Sequence, residues 1–289
     1  MTVADLHVHT DNSDGVLSLD AVPAAACDVG LQAVAITDHD RPHPDLDAPV
    51  VEMDGVTVIH GIELRVDSAA GRIDLLGYGL DPTPALSEEV ARLQRDRLER
   101  GAAIIDRVES RLCIDLGIEP HEGIGRPHIA RAIADHPATE HDFSGAFRHL
   151  IGDDGPCYVA RSIPSFEHGR ALLAEACSIV GLAHPLRYDD PGAALDHVAG
   201  LDAVERWYPY GRPVDIRVDR SPDRHSPGTV EANSINSSVD PYTCPVLDAI
   251  SAHDLLATGG SDAHGETLGA TGLTADAYRQ VSARLPDPP

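Results

Sequence analysis

The sequence contains no lysine, so all 22 of its basic side chains are arginines. They are outnumbered by 47 aspartates and glutamates, and the formal net charge is −25 at pH 7. A chain this acidic offers no basic stripe for the phosphates of a duplex, so we expect no duplex nucleic acid partner. The composition predicts a halophilic protein, because high salt screens the mutual repulsion of acidic groups. A codon bias towards arginine in a GC-rich genome is the alternative explanation.

Cysteine is scarce as well. The five cysteines, at positions 27, 113, 157, 177 and 244, are scattered and have no C-x-x-C spacing. This argues against a disulfide framework and against a zinc site built from thiolates. Long apolar runs are missing too, since no stretch approaches the ~20 residues of a membrane span and the first residues lack the pattern of a signal peptide. We therefore expect a soluble, cytoplasmic protein without membrane contact.

Short apolar runs alternate with helical patterns along most of the chain. The runs at about 3–8, 32–36, 56–62, 72–78, 179–183, 203–206 and 255–258 predict strands. Residues 67–71 between two of them are rich in turn formers and predict a hairpin. A length of 289 residues fits one large α/β domain, so we expect a single domain over 1–289.

Two segments interrupt this alternation. Residues 85–155 show helical patterns only, beginning with a long charged helix at about 87–112, and we interpret them as a helical insertion. Residues 209–244 have little periodicity and many Pro, Ser, Asn and Asp, which predicts either a lid or a partly disordered loop. The sequence does not decide between those two interpretations.

Histidines and carboxylates follow the predicted strands at several points. They occur in Asp-Leu-His-Val-His-Thr at 5–10, Thr-Asp-His-Asp at 37–40, Gly-Ile-Glu at 61–63, Ala-His-Pro at 183–185 and Gly-Gly-Ser-Asp-Ala-His-Gly at 259–265. In a parallel α/β barrel the loops after the strands converge on one mouth. We therefore expect these distant segments to meet at one site.

The residue types in these segments are those that bind metal ions. His7 and His9 point to the same face of a strand and can reach one ion. Asp14 offers a hard oxygen in the next loop, His39 follows the second strand, and Glu63 could bridge two ions. Imidazole with carboxylate suits Zn²⁺, Mn²⁺ or Fe²⁺ better than Cu(I). Because clustering so many polar groups without an ion is costly, the set predicts a multinuclear metal site.

Together with Gly-Arg-Pro-His at 125–128, these segments resemble in order and spacing the motifs of the PHP (polymerase and histidinol phosphatase) family. The resemblance spans nearly the whole chain. It implies a distorted (β/α)7 barrel with a helical insertion over the active-site mouth, and up to three divalent metal ions, Mn, Zn or Fe. It also implies the ligands, which are His7, His9, Glu63 and Asp262 for one ion, Glu63 and His184 for a second, and Asp14, His39 and His264 for a third.

Within that family the chain is most similar to the nucleoside 3′,5′-bisphosphate phosphatases and 5′→3′ exoribonucleases. This implies a small phosphorylated substrate, a nucleotide or a short 5′-phosphorylated oligonucleotide, whose phosphate ester is hydrolysed by metal-activated hydroxide attack. Asp74 departs from the pattern, since those relatives usually have a histidine there. Either Asp74 replaces that histidine as a metal ligand, or the second ion site is weakened and the centre is dinuclear.

Several arginines are candidates for contact with phosphate. Arg126 and His128 could contact the phosphate or protonate the leaving group, which would make them catalytic; solvated side chains at a helix start are the alternative. Arg97, Arg100 and Arg161 are candidate substrate-binding residues, because guanidinium groups bind phosphate as bidentate donors. For Arg97 and Arg100 a salt-bridged, solvated helix face is the alternative.

Residues beside the candidate ligands receive supporting roles. Asp5, Asp38 and Asp40 are expected to orient the ligand imidazoles as hydrogen-bond acceptors. Trp207 and Tyr208 either stack a base or pack at the rim of the barrel.

Three other functions stay open at this point. One is a metal-binding PHP module that does not catalyse, and another is a phosphatase of a different metabolite such as histidinol phosphate. A metal-dependent amidohydrolase is the third, although such enzymes often bridge their ions with a carboxylated lysine, which this chain lacks. The oligomeric state is open.

Overall fold

The structure is a computed structural model that describes residues 1–121, 123–210 and 244–289. The strands are β1 (Ala4–Val8), β2 (Ala33–Ile36), β3 (Val50–Met53), β4 (Val56–Ser68), β5 (Gly71–Leu80), β6 (Cys177–Leu182), β7 (Ala203–Trp207) and β8 (Leu256–Gly259). The α-helices are α1 (Val22–Asp28), α2 (Pro84–Leu112), α3 (Arg126–Asp135), α4 (Phe143–Ala146), α5 (Phe166–Ala176), α6 (Pro191–Leu195), α7 (Cys244–His253) and α8 (Ala275–Ser282). The lid or loop predicted over 209–244 lies, apart from its ends, outside the described residues.

Seven strands form a nearly closed sheet in the order β1-β2-β4-β5-β6-β7-β8, and β3 pairs with β4 beside this path. The gap between the first and last strands is bridged where the amide of His9 donates to the carbonyl of Ala263, at 3.0 Å. Strand β5 is antiparallel to both β4 and β6, whereas the other neighbours along the path are parallel. The predicted distorted (β/α)7 barrel is thus confirmed, and β5 is its reversed strand.

The hairpin of β4 and β5 explains that reversal. Ser68 pairs with Gly71 at the turn, which confirms the predicted hairpin. Gly71 has φ of +88°, a left-handed conformation that glycine adopts without steric cost. Because β5 runs backwards, its beginning lies at the same mouth as the ends of the parallel strands.

Apolar strand residues make the sheet rigid. All four residues of β2 are buried, as expected for a barrel strand that is covered on both faces. Leu6 of β1, Ile59 of β4, Leu76 and Tyr78 of β5 and Ile179 of β6 are buried in one cluster. This packing fixes the ends of the strands, from which the candidate ligands project.

The helices between β5 and β6 have an apolar core of their own. It includes Ile104 and Val108 of α2, Ile129 and Ile133 of α3, and Ile151 of a short π-helical segment. The opposite end of α2 packs instead on the main cluster of strands and helices. The extents given to the domain, 1–289, and to the insertion, 85–155, stay predictions.

Candidate metal centre

The first two histidines lie at the end of β1. His7 and His9 project from one face of the chain because they are two residues apart, and their ring centroids are 5.1 Å apart. Both side chains are fully buried. Burial and the neighbouring His39 lower the pKa of His9 to about 4, so its ring is neutral and free to bind a cation.

Glu63 lies in β4 at the centre of four histidines. Its Oε1 is 3.0 Å from Nε2 of His184 and 3.6 Å from Nε2 of His7. Its Oε2 is 2.7 Å from Nδ1 of His39 and 3.5 Å from Nε2 of His9. Burial opposes ionisation, but the histidines hold the pKa of Glu63 well below its usual value. A carboxylate with histidines at both oxygens is placed to bridge two cations.

A second group of ligand atoms surrounds Asp14. Its Oδ1 lies 3.3 Å from Nε2 of His264 and 3.7 Å from Nε2 of His39. Although burial works against it, the hydrogen bond to Asp14 raises the pKa of His264 to about 9. His9 belongs to this group as well, with ligand atoms within 4.8 Å of one another. The sequence analysis assigned His9 only to the ion held by His7.

Asp262 completes the cluster from the loop after β8. Its Oδ1 is 3.0 Å from Nε2 of His9 and 3.5 Å from Nε2 of His7. Its Oδ2 accepts hydrogen bonds from the hydroxyl of Tyr208, at 2.7 Å, and from Arg187, at 3.1 Å. Asp262 has φ of +50°, a left-handed conformation that is unusual for a residue other than glycine. Such strain is common where a backbone is held in place for function.

The cluster contains buried polar atoms that make no well-aligned hydrogen bond, although several lie close to one another. They are Nε2 of His7, both ring nitrogens of His9, Oδ1 of Asp14, Oε2 of Glu63, Nδ1 of His184 and Oδ1 of Asp262. Leaving such atoms unsatisfied costs free energy, and a bound cation removes that cost. Imidazole nitrogens mixed with carboxylate oxygens are the donor set of Zn²⁺, Mn²⁺ or Fe²⁺, so the residues fit divalent ions.

The structure brings all nine predicted ligands together. They fall into four overlapping groups, which are His9 with Asp14, His39 and His264; His7 with His184 and Asp262; His7 with His9 and Glu63; and Glu63 with Asp74 and His184. Within each group the ligand atoms lie within 4.8 Å of one another. That these residues bind metal stays a prediction at the level of the individual residue.

Asp74 reaches the cluster from the beginning of the reversed strand β5. Its two oxygens each accept a hydrogen bond from Arg65, from Nε and from one terminal nitrogen, both at 2.7 Å. Its Oδ2 is also 3.7 Å from Nε2 of His184. Arg65 was not among the residues predicted from the sequence. The signal was available in the hairpin register, in which Arg65 and Asp74 are cross-strand partners.

Glu205, in β7, is a second residue that the sequence analysis did not consider. Its Oε1 lies 3.1 Å from Nδ1 of His7, and its Oε2 accepts the amide of His184 at 2.7 Å. Burial opposes protonation of His7, but the charge of Glu205 raises the pKa of that ring well above its usual value. Glu205 therefore orients two candidate ligands. A single acidic residue within an apolar strand was the available signal.

Asp5 and Asp38 support loops rather than rings. Asp5 accepts hydrogen bonds from the amide and the hydroxyl of Ser261, at 2.9 and 2.5 Å. Asp38 accepts from the amide and hydroxyl of Thr10, at 2.8 and 2.7 Å, and from the hydroxyl of Ser13 at 2.7 Å. The prediction that they orient the imidazoles is therefore wrong, because the hydrogen bonds described for both carboxylates come from backbone amides and from side chains other than histidine.

Two adjoining cavities open at the cluster. The first, of about 390 Å³, is lined by Asp14, His39, Glu63, Asp262, His264, Arg65, Pro127, His128, Arg131 and Arg187. The second, of about 190 Å³, is lined by residues that include Arg65, Arg72, Arg97, Arg100, Arg126 and Arg161. Asp14, His39, Arg65 and Pro127 line both. We call the second one the arginine cavity.

The three predicted substrate-binding arginines all line the arginine cavity. Arg97 and Arg161 both donate to Oδ2 of Asp40, Arg97 at 3.1 Å. Although burial opposes it, these two guanidinium groups lower the pKa of Asp40 to about 2. Arg100 donates to the carbonyl of Val159 at 2.7 Å. Asp40 thus binds arginines and not an imidazole, which makes its predicted role wrong as well.

Arg126 and His128 lie at the start of α3, on different cavities. Arg126 lines the arginine cavity and pairs with Asp153 at 2.6 Å. His128 lines the first cavity, and its Nδ1 accepts the amide of Gly125 at 3.1 Å. The catalytic role predicted for this pair stays a prediction.

A barrel whose mouth gathers histidines and carboxylates in this way is the architecture of a metal-dependent hydrolase. Comparison with known families supports one of them in particular, because the model of the PHP domain matches residues 5–122. This is the family that the motifs of the chain resemble.

Three characterised bacterial proteins are similar to this chain. The 3′,5′-nucleoside bisphosphate phosphatase of Chromobacterium violaceum is 29% identical over 197 residues, which is 65% of this chain and 69% of that protein. The phosphoribosyl 1,2-cyclic phosphate 1,2-diphosphodiesterase of Eggerthella lenta is 28% identical over 220 residues, 72% of this chain and 83% of that one. The 5′-3′ exoribonuclease of Haemophilus influenzae is 26% identical over 199 residues, 65% and 70% of the two chains.

A solved structure supports the fold. A candidate metal-dependent phosphoesterase from Bifidobacterium adolescentis superimposes with a TM-score of 0.71 at 24% identity, and covers 99% of this chain and 97% of its own. The described part of the present chain contains no helix with both the length and the apolar composition needed to cross a bilayer.

Proposed function

We propose that the protein is a metal-dependent phosphoesterase that hydrolyses phosphate esters of nucleotides or short 5′-phosphorylated oligonucleotides. The observation that carries the proposal is the arginine cavity, which adjoins the candidate metal cluster in a chain of net charge −25. Such a concentration of cations in an acidic protein indicates an anionic ligand. The names of the phosphatase, diphosphodiesterase and exoribonuclease that resemble the chain support the same class of substrate.

Divalent ions, Mn, Zn or Fe, would be held by residues of this cluster of histidines and carboxylates. When bound, they supply an activated water nucleophile and polarise the phosphoryl oxygens. Glu205 orients His7, and the hydrogen bonds of Asp5 to Ser261 hold the loop that carries Asp262. These contacts preorganise the site, so that little rearrangement is needed when substrate arrives.

Two anionic groups of one substrate would occupy the two cavities. The reacting phosphate lies in the first cavity, beside the cluster, and a second phosphate of a bisphosphate or of an oligonucleotide end lies in the arginine cavity. Arg65 lines both cavities and can contact either group. A site of this kind would select small substrates with two phosphates over those with one.

Arg100 is the arginine we assign first to the second phosphate. Burial, together with the nearby charges of Arg126 and Arg161, lowers its pKa to about 10. Arg97 and Arg161 already share the carboxylate of Asp40, whereas the hydrogen bond described for Arg100 goes to a neutral carbonyl. A phosphate in the cavity would supply the missing negative charge and accept charge-assisted hydrogen bonds.

His128 is the residue we assign to the leaving group, to whose oxygen it would donate a hydrogen bond. Its Nδ1 accepts the amide of Gly125, so the neutral ring carries its proton on Nε2. The ring lines the first cavity, where the leaving oxygen would lie. Arg126 neutralises charge on the neighbouring phosphate. Since Arg97, Arg100 and Arg126 come from α2 and α3, we propose that 85–155 caps the mouth of a single catalytic domain.

The proposal is tested by the release of phosphate and nucleotide from a panel of substrates in high salt with Mn²⁺. The panel contains adenosine 3′,5′-bisphosphate, a 5′-phosphorylated RNA trimer, 5′-AMP and histidinol phosphate, with a chelator as the control. We expect metal-dependent turnover of the bisphosphate or the trimer. Turnover of histidinol phosphate alone would overturn the substrate class, and silence across the panel would favour a module that does not catalyse. A cytoplasmic location stays a prediction.

A matched pair of variants tests the arginine cavity. Arg100→Gln should raise KM for the two-phosphate substrate by about 10- to 100-fold, since a hydrogen bond to a charged group is worth about 1.5–3 kcal/mol. Arg95→Gln lies on the exposed face of the same helix and should leave KM unchanged. KM for 5′-AMP, with one phosphate, should change little in either variant. An equal rise in KM for both substrates would mean that Arg100 does not bind the second phosphate.

A further inference from the structure

The four groups of candidate ligands differ in whether their polar atoms already have partners. In the three groups that contain His7 or His9, buried nitrogens and oxygens make no well-aligned hydrogen bond. Nε2 of His7, Oδ1 of Asp14 and Oδ1 of Asp262 are examples. In the group of Glu63, Asp74 and His184 the facing atoms are already paired. Oε1 of Glu63 is 3.0 Å from Nε2 of His184, and both oxygens of Asp74 accept from Arg65. The other Glu63 oxygen, Oε2, faces away from Asp74, towards His9 and His39.

The Arg65–Asp74 pair is built into the barrel. The two residues are cross-strand partners in the hairpin of β4 and β5. Their contact is bidentate, with two hydrogen bonds of 2.7 Å, which is the strongest geometry for these two groups. The Asp74 side chain is 1% exposed, and its amide donates to the hydroxyl of Tyr188 at 2.8 Å. Burial and these hydrogen bonds therefore hold the carboxylate against the guanidinium.

Charge makes the two possible partners of Asp74 compete. The guanidinium is a permanent cation that lies against the carboxylate. A divalent ion bound by the same carboxylate would lie next to that guanidinium, and like charges repel strongly in a buried site. The structure thus offers one cation position beside Asp74, and Arg65 fills it.

We propose that Arg65 takes the place of a third metal ion, so that the centre binds two divalent ions and the guanidinium supplies the third positive charge. One ion position would be formed by His7, His9, Glu63 and Asp262, and the other by Asp14, His39 and His264. The inference rests on the proposed function only in that it assumes a metal centre.

Arg65 then has a direct part in substrate binding. A guanidinium has five N–H donors, and Asp74 uses two of them, which leaves three. The side chain is 36% exposed and lines both cavities. The free donors neutralise charge on the phosphoryl oxygens, whereas Arg65, unlike a metal ion, does not activate water.

The number of ions per chain tests the inference without any measurement of turnover. Protein saturated with Mn²⁺ and freed of excess metal is analysed by inductively coupled plasma mass spectrometry. We expect two ions per chain in the wild type and in Arg65→Lys, which keeps a cation beside Asp74. Arg65→Ser, which exposes the Asp74 oxygens, should bind three. Three ions in the wild type, or two in folded Arg65→Ser, would overturn the inference.

If Arg65→Ser does not fold, a crystal structure of the Mn²⁺-loaded wild type provides a second test. Anomalous scattering should give two peaks, with none within about 2.5 Å of an Asp74 oxygen, the range of a metal–oxygen bond. A peak there would overturn the inference. A protein with two ions that hydrolyses no phosphoester would refute the proposed function and leave this inference intact.

Discussion

Gly260 and His7 are in backbone contact. A Cβ added at Gly260 would lie 2.3 Å from the amide nitrogen of His7 and 2.4 Å from its Cβ, closer than non-bonded atoms approach. The glycine therefore lets the loop after β8 lie directly on β1. This contact brings Asp262, two residues further along, beside the histidines of the first strand.

Replacement of Gly260 should destabilise the barrel at this point. The backbone must move to accommodate the methyl group of Gly260→Ala, and overpacking of this kind costs about 1–3 kcal/mol. We expect a loss of that size in the free energy of unfolding, measured with urea on chelator-treated protein. Gly265→Ala is the matched control, because a Cβ at Gly265 meets nothing within 4 Å. Equal stability of the two variants would contradict the contact.

Glu205→Gln should weaken metal binding. The carboxylate of Glu205 fixes the ring of His7 through Nδ1 and leaves Nε2 facing the cluster. Loss of a hydrogen-bonding partner behind a metal ligand typically costs 10- to 100-fold in affinity. Titration of the metal-free protein with Mn²⁺ by calorimetry measures this directly. Glu175→Gln, an exposed acid on α5, controls for the loss of one negative charge. An unchanged affinity would mean that Glu205 does not position His7.

His9→Ala should have a larger effect than replacement of a ligand found in one group. His9 belongs to two of the four ligand groups, so its loss removes a ligand of one ion position and a close neighbour of the other. We expect turnover to fall by about 100-fold or more, since metal ions contribute several kcal/mol to stabilising the transition state. Metal content should fall in parallel. His253→Ala removes an exposed imidazole and should keep full activity. Full metal content in His9→Ala would refute the assignment.

His60 should make the fold sensitive to acid. The side chain is buried, and neither ring nitrogen has a hydrogen-bond partner. Burial, with the charge of His43, lowers its pKa from the usual 6.5 to about 4. Between those two pH values the unfolded chain binds a proton that the folded chain does not, so stability is lost as the pH falls. The loss amounts to about 3 kcal/mol.

The variant His60→Leu should remove this loss. An apolar side chain in place of an unpaired buried imidazole should be neutral or stabilising at pH 8, and clearly stabilising at pH 5. Urea unfolding at both pH values gives the comparison. His253→Leu, at an exposed position, should show the same difference from wild type at pH 5 as at pH 8. If His60→Leu behaves like that control, the ring of His60 accepts a proton in the folded state.

The candidate ligands could be predicted because they occupy simple positions. His7, His9 and Glu63 lie in or just after apolar runs, and the carboxyl ends of barrel strands converge on one mouth. The hairpin turn at residues 67–71 was equally visible, since its residues favour turns. An α/β barrel with a metal site at its mouth therefore followed from local pattern and from one topological rule, whereas the distorted (β/α)7 form and the assignment of ligands to ions followed from the resemblance to the PHP family.

The partners of those residues depend on contacts that no local pattern records. Whether Asp74 is available to bind a metal ion depends on Arg65, which lies opposite it in a hairpin. To predict that pairing, the register of the two strands must be known. Glu205 contacts His7 from β7, 198 residues away in sequence. Asp38 was expected to accept a hydrogen bond from the ring of a ligand histidine, but its Oδ1 accepts from the amide of Thr10 at 2.8 Å. Strand β3 was not predicted, because it is short and two of its four residues are only partly buried.

The chain as a whole is negatively charged, whereas its arginine cavity is lined by positive groups. This difference affects the rate at which an anion associates with the cavity. Far from the mouth an approaching phosphate meets the repulsion of a chain with net charge −25. Only close to the cavity do the six guanidinium groups attract it. Salt shortens the reach of the outer field, with a Debye length of about 8 Å at 0.15 M and 3 Å at 1 M. Anions should therefore associate faster in brine than in dilute buffer, the reverse of electrostatic steering.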